Sequence, residues 1–347
     1  MVNKKIAIDL SWIKIDKSGG VENHTINLLK NLKSKNIYYF VTPNQLINKK
    51  YSWIKGKNIK ILTNFYLINI FYIFFFSHFF IKKNKIKKFF STNIYCPLIF
   101  KKNIKIKITL HHAMWLVFPS YYSRFKRWFY DVYYKFLNGK VNFIAISNHI
   151  KDKFKKKFKF KNIKVIYNPI VIKKISSEIN FLKNKKYFFY LASNETHKNL
   201  NTIIKAFNSK NIKKGYNLVI AGYGQKRKKI SNNIFILGKI SEEKKYSLFK
   251  NCLCYLHPSL YEGFGMPLVE AMLLKKKIIT NTNGSIREIT LNKAIYVKNP
   301  MDHKSWIRKI NKFNYLKFPK INIKKINKIY NYKNTLKSYY KEIFNEN

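Results

Sequence analysis

The second half of the chain alternates short apolar runs with segments whose apolar residues recur at helical spacing. Residues 186–192, 217–222, 233–238, 252–257 and 276–282 read as strands. Between the first two, residues 199–209 set Leu200, Ile203, Ile204 and Phe207 on one helical face. Ser241 precedes Glu242 and Glu243, a cap followed by acids where the helix dipole favours negative charge. Residues 225–231 are expected to be helical, and Ser285-Ile286-Arg287-Glu288 has the capping-box pattern that opens a short helix. Repeated β-α units of this kind predict a parallel sheet covered on both faces, a doubly wound α/β domain.

The first half repeats the plan less cleanly. Residues 6–10 read as a strand, followed by a loop ending in Gly19-Gly20-Val21 and a helix from about Glu22 to Leu32. Further strands are expected at 37–42, 59–63, 88–91, 105–110 and 143–147, while 151–161 is too lysine-rich to assign. Asn168-Pro169 and the polar run 173–186 mark a linker, and 347 residues suit two domains of ordinary size. The expected division is 1–170, 171–325 and a C-terminal helix over 326–347. Residues 65–81 (FYLINIFYIFFFSHFFI) are almost wholly apolar between lysines. As one helix they would span about 25 Å, short of a bilayer's hydrocarbon core. A buried helix, a helix lying in a membrane interface and a true span all remain open.

Charge adds a second constraint. Lys and Arg number 70 against 15 Asp and Glu, a net charge of +55. Nucleic acid is the obvious partner for such a chain. Two features argue against it: only Arg124, Arg127, Arg227, Arg287 and Arg308 are arginines, and the lysines are spread along the whole sequence. Peripheral contact with an anionic membrane fits better. Cys96, Cys252 and Cys254 form neither a disulfide framework nor a zinc site, and the N-terminus has too short an apolar run for a signal peptide. A cytoplasmic setting, peripheral on the inner membrane face, is the expectation.

The chemistry concentrates in residues 257–272, HPSLYEGFGMPLVEAM. A strand ends there, a loop carries Gly263 and Gly265, and Pro267 stands where the first helical residue is expected. Loop amides and the positive end of the helix dipole then point at one place, which suits phosphate. Glu262 and Glu270 beside that cradle suit sugar hydroxyls, which donate hydrogen bonds to carboxylates. Together they read as a nucleotide-sugar site.

Glu262 and Glu270 have the Glu-x7-Glu spacing of retaining glycosyltransferases, and Pro-Ser-Leu-Tyr-Glu-Gly-Phe-Gly-Met-Pro resembles glycosyltransferase family 4. The similarity extends to mannosyl- and rhamnosyltransferase-like members through Phe118-Pro119-Ser120-Tyr121-Tyr122-Ser123-Arg124. It implies the GT-B fold: two doubly wound Rossmann-like domains facing across a cleft, with the last helix crossing back to the first domain. It also implies transfer of a hexose from a nucleotide sugar to a cell-surface glycan or lipid-linked acceptor, as in polysaccharide or lipopolysaccharide synthesis. By resemblance, Glu262 contacts the donor sugar and Glu270 the ribose, with amides around Gly263, Phe264, Gly265 and Met266 on the diphosphate. Base recognition falls near Phe235–Lys239.

Lys198, in Glu195-Thr196-His197-Lys198-Asn199 at a loop-to-helix junction, is the candidate cation for the leaving diphosphate. Many family members carry an arginine five residues earlier; here Ser193 stands, followed by Asn194. Asn194 with the backbone, another lysine, or weaker donor affinity are the alternatives. Gly19 and Gly20 allow close approach of backbone to ligand from the first domain. His111, at the end of a strand in Thr109-Leu110-His111-His112, resembles the family histidine near the transferred sugar, with His112 where Asp is common. No DxD motif is evident, so no metal and no cofactor beyond the donor are expected; GDP-mannose is mildly preferred. A polyanion-binding protein, and a GT-B relative with other chemistry or none, are the rival readings.

Overall fold

The computed structural model describes residues 4–15, 19–32, 35–172, 182–191, 193–224 and 227–344. The chain divides into two compact units, Met1–Pro169 with Tyr332–Asn347, and Ile170–Asn331. Much of the expected linker run 173–186 lies outside the described residues.

The first unit holds seven strands: β1 (Ile6–Asp9), β2 (Ile37–Val41), β3 (Asn58–Ile61), β4 (Lys88–Ser91), β5 (Lys105–Leu110), β6 (Asn142–Ala145) and β7 (Ile163–Val165). They pair in the order β3-β2-β1-β4-β5-β6-β7, parallel throughout. Helices cover both faces, so β1 and β4 are buried along their whole length. The last helix, Tyr332–Phe344, inserts Leu336 and Tyr339 into the core that also holds Ile8, Leu28 and Tyr39. Its polar ties are as specific: Lys88 Nζ donates to the carbonyl of Phe344, and Glu342 pairs with Lys107 and Lys164. The lysine-rich stretch left unassigned is a helix, Asn148–Phe158, capped by Ser147 and buried through Ile150, Phe154 and Phe158.

The second unit repeats the plan with β8 (Tyr187–Leu191), β9 (Asn217–Ala221), β10 (Lys228–Ser231), β11 (Ile234–Ile236), β12 (Cys254–His257), β13 (Ile278–Thr280) and β14 (Ile295–Tyr296). The order is β10-β11-β9-β8-β12-β13-β14. Only β10 runs antiparallel, forming a hairpin with β11. The helix expected over 225–231 is therefore corrected: its described part is this edge strand, whose Lys228, Lys229 and Ile230 are exposed and need no helical face. Strand order reverses between β1 and β4 in one sheet and between β8 and β12 in the other. Open α/β sheets take ligands beside the C-terminal ends of strands at such points.

Two helical expectations also change. Residues 65–81 do not form one helix. Tyr66–Phe75 ends at Phe76, and Ser77–Lys83 follows as a separate helix. Ser77 is buried and its hydroxyl donates back to the carbonyl of Ile73 at 2.6 Å, a bond that bends helices. Among the described residues no helix is long and apolar enough to cross a membrane. The C-terminal segment is likewise two helices, Ile323–Tyr330 and Tyr332–Phe344, interrupted at Asn331 with extended backbone.

Candidate functional site

In the second unit the loops after β8 and β12 meet. The first turns through Thr196–Lys198 to Asn199, which adopts the left-handed conformation and opens the helix Leu200–Asn208. Asn199 anchors the turn by donating to the carbonyls of Pro258 and Pro300 and accepting from Thr202. Leu260 N–H donates to the carbonyl of His197 at 2.7 Å, stitching this turn to the loop after β12. Tyr190 reaches up from β8 and donates to the carbonyl of Lys198.

These ties bring Lys198 Nζ to 2.8 Å from Glu262 Oε1. His257, the last residue of β12, places Nε2 3.0 Å from the same oxygen. That nitrogen is buried, and the Glu262 carboxylate is the polar group it approaches. The other ring nitrogen, Nδ1, is 3.0 Å from the hydroxyl of Tyr255. Burial alone would raise the Glu262 carboxyl; Lys198 and His257 together outweigh it and hold the group well below the usual carboxylate range. Glu262 is thus a fixed anion at any physiological pH.

The loop that carries Glu262 is clamped from the β13 side. Asn281 donates to the carbonyl of Ser259, and Thr280 to that of His257. Ser285 donates from its amide to the Glu262 carbonyl and from its hydroxyl to the carbonyls of Glu262 and Phe264. Ser285 stands at the N-cap of the short helix Ile286–Ile289 that its sequence pattern predicts, but its hydroxyl bonds this loop instead of the helix amides. Gly284 has φ +64°, and a Cβ there would sit 2.5 Å from the Glu262 carbonyl oxygen. The backbone approach requires glycine.

Gly265 takes φ +87° and caps the helix Met266–Leu273, with Pro267 as its second residue rather than its first. The first-turn amides of that helix lack intrahelical acceptors by geometry, and they lie next in sequence to Gly263 and Phe264. Glu270, one turn in, is not gathered with Lys198 and Glu262. Its Oε1 accepts from Lys245 at 2.8 Å and from Tyr246 at 3.2 Å. Lys245 also pairs with Glu242. Burial raises the Glu270 carboxyl, and Lys245 only partly offsets this because Glu242 shares the cation and repels the second carboxylate. For Lys245, burial is outweighed by two carboxylates, so it stays charged. Asn194 is exposed, and its side-chain oxygen accepts from the amide of Gly224, tying the β8 loop to the β9 loop.

In the first unit, Gly19 with φ +51° and Gly20 open the helix Gly19–Leu29, and a Cβ at either would meet nothing within 4 Å. That helix carries His24, fully buried, whose ring meets His111 edge-on at 4.9 Å and Tyr339 at 5.4 Å. Neither nitrogen of His24 has a hydrogen-bond partner. His111 is buried, with Nε2 2.7 Å from the carbonyl of Thr92, and burial pushes it down to about 4. His112 beside it is exposed. Asp9, at the end of β1, accepts twice from Ser11 through Oδ1, while its buried Oδ2 has no partner. Burial raises it to about 6 despite those two bonds.

Sequence reasoning passed over Asp9, His24, His257 and Lys245. The position of Asp9 and His257 as polar residues ending apolar strands was a usable signal. His24 and Lys245 sit on helices, where nothing local distinguishes them. Among the described residues no three His, Cys, Asp or Glu side chains gather as a metal ion would require.

The family model for glycosyl transferases group 1 matches residues 171–329, and that for Glycosyltransferase Family 4 matches residues 18–174. The O-antigen chain mannosyltransferase RfbU of Salmonella typhimurium is 27% identical over 232 residues, 59% of this chain. The match covers 63% of that relative, a little under two thirds of its length. Among solved structures, HepE of Anabaena in complex with UDP and glucose superposes with a TM-score of 0.63 at 14% identity, covering 98% of this chain and 95% of that one. WaaG, a glycosyltransferase involved in lipopolysaccharide biosynthesis, gives 0.68 at 10% identity over 98% and 100% of the two chains. A glycosyltransferase from Rickettsia africae gives 0.66 at 17% identity over 99% and 100%.

Proposed function

The chain belongs to the glycosyltransferases of family 4 type, built on the two-domain GT-B fold, and on that premise we propose that it moves a hexose from a nucleotide-sugar donor with retention of anomeric configuration. The acceptor is a glycan or lipid-linked intermediate of the lipopolysaccharide or O-antigen kind, in keeping with the relatives matched. The observation that carries this reading is the Lys198–Glu262–His257 cluster at the strand-order reversal of the second sheet.

In the reaction the bond between the anomeric carbon and the diphosphate oxygen breaks, its electron pair leaving with the diphosphate. A bond to the acceptor oxygen forms on the same face, and the acceptor's proton passes to the departing phosphate oxygen. Lys198 and the first-turn amides after Gly265 stabilise the developing phosphate charge. Glu262, held ionised, accepts hydrogen bonds from the sugar hydroxyls, and Glu270 does the same for the ribose. Within the first unit, the family resemblance assigns ligand contacts to His111 and the Gly19-Gly20 turn. The positive groups already present take the charge that a cation would, so donor binding is expected to survive a chelator.

The test begins with a thermal-shift screen of nucleotide sugars, since a ligand bound only by the folded state raises apparent stability. GDP-mannose comes first, because the curated relative is a mannosyltransferase, and UDP-glucose second, because a structural neighbour holds UDP and glucose. Lys198→Met is expected to reduce turnover by roughly 10²–10³-fold. A variant turning over at the wild-type rate removes Lys198 from the mechanism. Inverted product would refute retention.

A further inference from the structure

The first unit carries an outward apolar surface that its own core does not use. On the helix Tyr66–Phe75 only Asn69, Ile73 and Phe74 are buried, while Leu67, Ile68, Phe71 and Phe75 face outward at helical spacing. Phe76 and Phe79 continue that row, with ring centroids 5.8 Å apart between Phe71 and Phe76 and 6.5 Å between Phe76 and Phe79. The neighbouring helix, Arg124–Leu137, has two apolar faces. Tyr130, Tyr133, Tyr134 and Leu137 are buried; Phe125, Trp128, Val132 and Phe136 form a second row facing out. Phe74 joins the helices from beneath, meeting Tyr133 at 5.5 Å and Phe129 at 6.5 Å. Phe125 is 73% exposed, Trp128 60% and Phe79 61%. Two adjacent helices with outward aromatic rows are too much contiguous apolar surface for a face that meets only water.

The surroundings say what covers it. Lys82 and Lys83 close the second helix of this pair and Lys85 follows it, and Lys101 and Lys102 follow the loop whose Leu98 amide donates to the carbonyl of Phe74. Lys140 stands 3.4 Å over the ring of Phe136. No Asp or Glu occurs between Glu22 and Asp131, and Asp131 is paired with Lys157. We propose that this face is a docking surface for an anionic lipid bilayer: aromatic side chains enter the headgroup boundary and the surrounding lysines reach back to lipid phosphates. A second copy of the chain fits poorly, because each would bring its lysine rim against the other's in a protein of net charge +55. The proposal is independent of the donor chemistry, since binding is measured without donor or acceptor.

The protein is mixed with vesicles of phosphatidylcholine alone, or of one part phosphatidylglycerol to two parts phosphatidylcholine. It is expected to sediment with the anionic vesicles, and Trp128 emission is expected to move to the blue and be quenched by brominated acyl chains. Trp12, Trp115 and Trp306 are buried and Trp53 is half-buried against the core, and these four serve as the background. Phe71→Ser with Phe125→Ser is expected to lower vesicle affinity about tenfold or more at unchanged melting temperature. Lys82→Ser with Lys83→Ser gives a smaller loss that salt mimics. The proposal is overturned if the aromatic substitutions leave anionic-vesicle binding intact. It is also overturned if no vesicle binding occurs, or if the same substitutions abolish a concentration-dependent dimer instead.

Discussion

Glu262 and Glu270 are eight residues apart, both buried and both paired with a lysine at 2.8 Å, yet they are opposite in electrostatic character. Glu262 sits on a loop at the end of a central strand, with Lys198 and His257 contributing to a single carboxylate, and is driven down. Glu270 sits inside a helix, with its one cation divided between two carboxylates, and is driven up. The spacing of the pair is a linear fact; the division of labour comes from the elements around each. A permanently ionised acceptor suits a sugar whose charge grows during reaction, and an adjustable carboxyl suits a hydroxyl that stays bound throughout.

The sharpest way to break this comparison is kinetic. Glu262→Gln keeps the shape and removes the charge, and is expected to lower kcat roughly 10²–10³-fold. Glu270→Gln should raise donor KM with a far smaller change in kcat, because in the proposed reaction the ribose is held alike in ground and transition states. Equal losses of kcat in the two variants would erase the distinction.

The next effect is structural. Gly284→Ala puts a Cβ against the Glu262 carbonyl at a positive φ, so strain and overpacking combine to about 2–4 kcal/mol of lost stability. Gly56→Ala has a similar φ, +75°, with nothing within 4 Å, and isolates the conformational share at about 1–2 kcal/mol. Denaturant unfolding of the two variants measures the difference. If they are equally destabilised, the close approach beneath Glu262 is unimportant.

How far the sequence reached is clearest at the same place. The run 257–272 exposed both glutamates, the glycine turn and the helix start, because loop chemistry and proline position are local. Lys198 was found by its place at a loop-to-helix junction. His257 and Lys245 were not, because their partnership with the glutamates depends on strand order and helix docking that no local pattern encodes. The alternation of β8, β9, β12 and β13 was legible since buried parallel strands are continuous apolar runs. β10 was not, because an edge strand exposing Lys228 and Lys229 looks like any polar segment. Phe65–Ile81 misled for the opposite reason: unbroken hydropathy hid the turn that Ser77 makes by bonding back to Ile73.

Lys245→Met sharpens the electrostatic contrast by removing the cation paired with Glu270. The Glu270 carboxyl, already raised, rises further, so the folded state holds a proton that the unfolded state releases near 4.5. Stability is then present at low pH and lost as pH rises through the folded value. The variant is expected to lose progressively more stability, relative to wild type, as pH rises above 4.5. A uniform loss across that range would mean that Glu270 stays ionised without its lysine.

The smallest effect lies in the first unit, where acid acts in the reverse direction. Burial lowers His24, with His111 adding to it, and holds His111 at about 4 against an ordinary value of 6.5. Between those values the unfolded chain binds protons that the folded one refuses, so stability falls as pH drops below 6.5. Asp9, raised to about 6, opposes this in part, because its folded form takes up a proton first. Two histidines against one carboxyl leave a net acid weakness. His24→Leu removes one of the two and frees no polar partner, since both ring nitrogens are unbonded. It should change stability at pH 7.5 by no more than about 1 kcal/mol while making the decline between pH 6.5 and 4 shallower. An unchanged slope would place the acid sensitivity elsewhere, with Glu262 and its window below 4.5 the next group to examine.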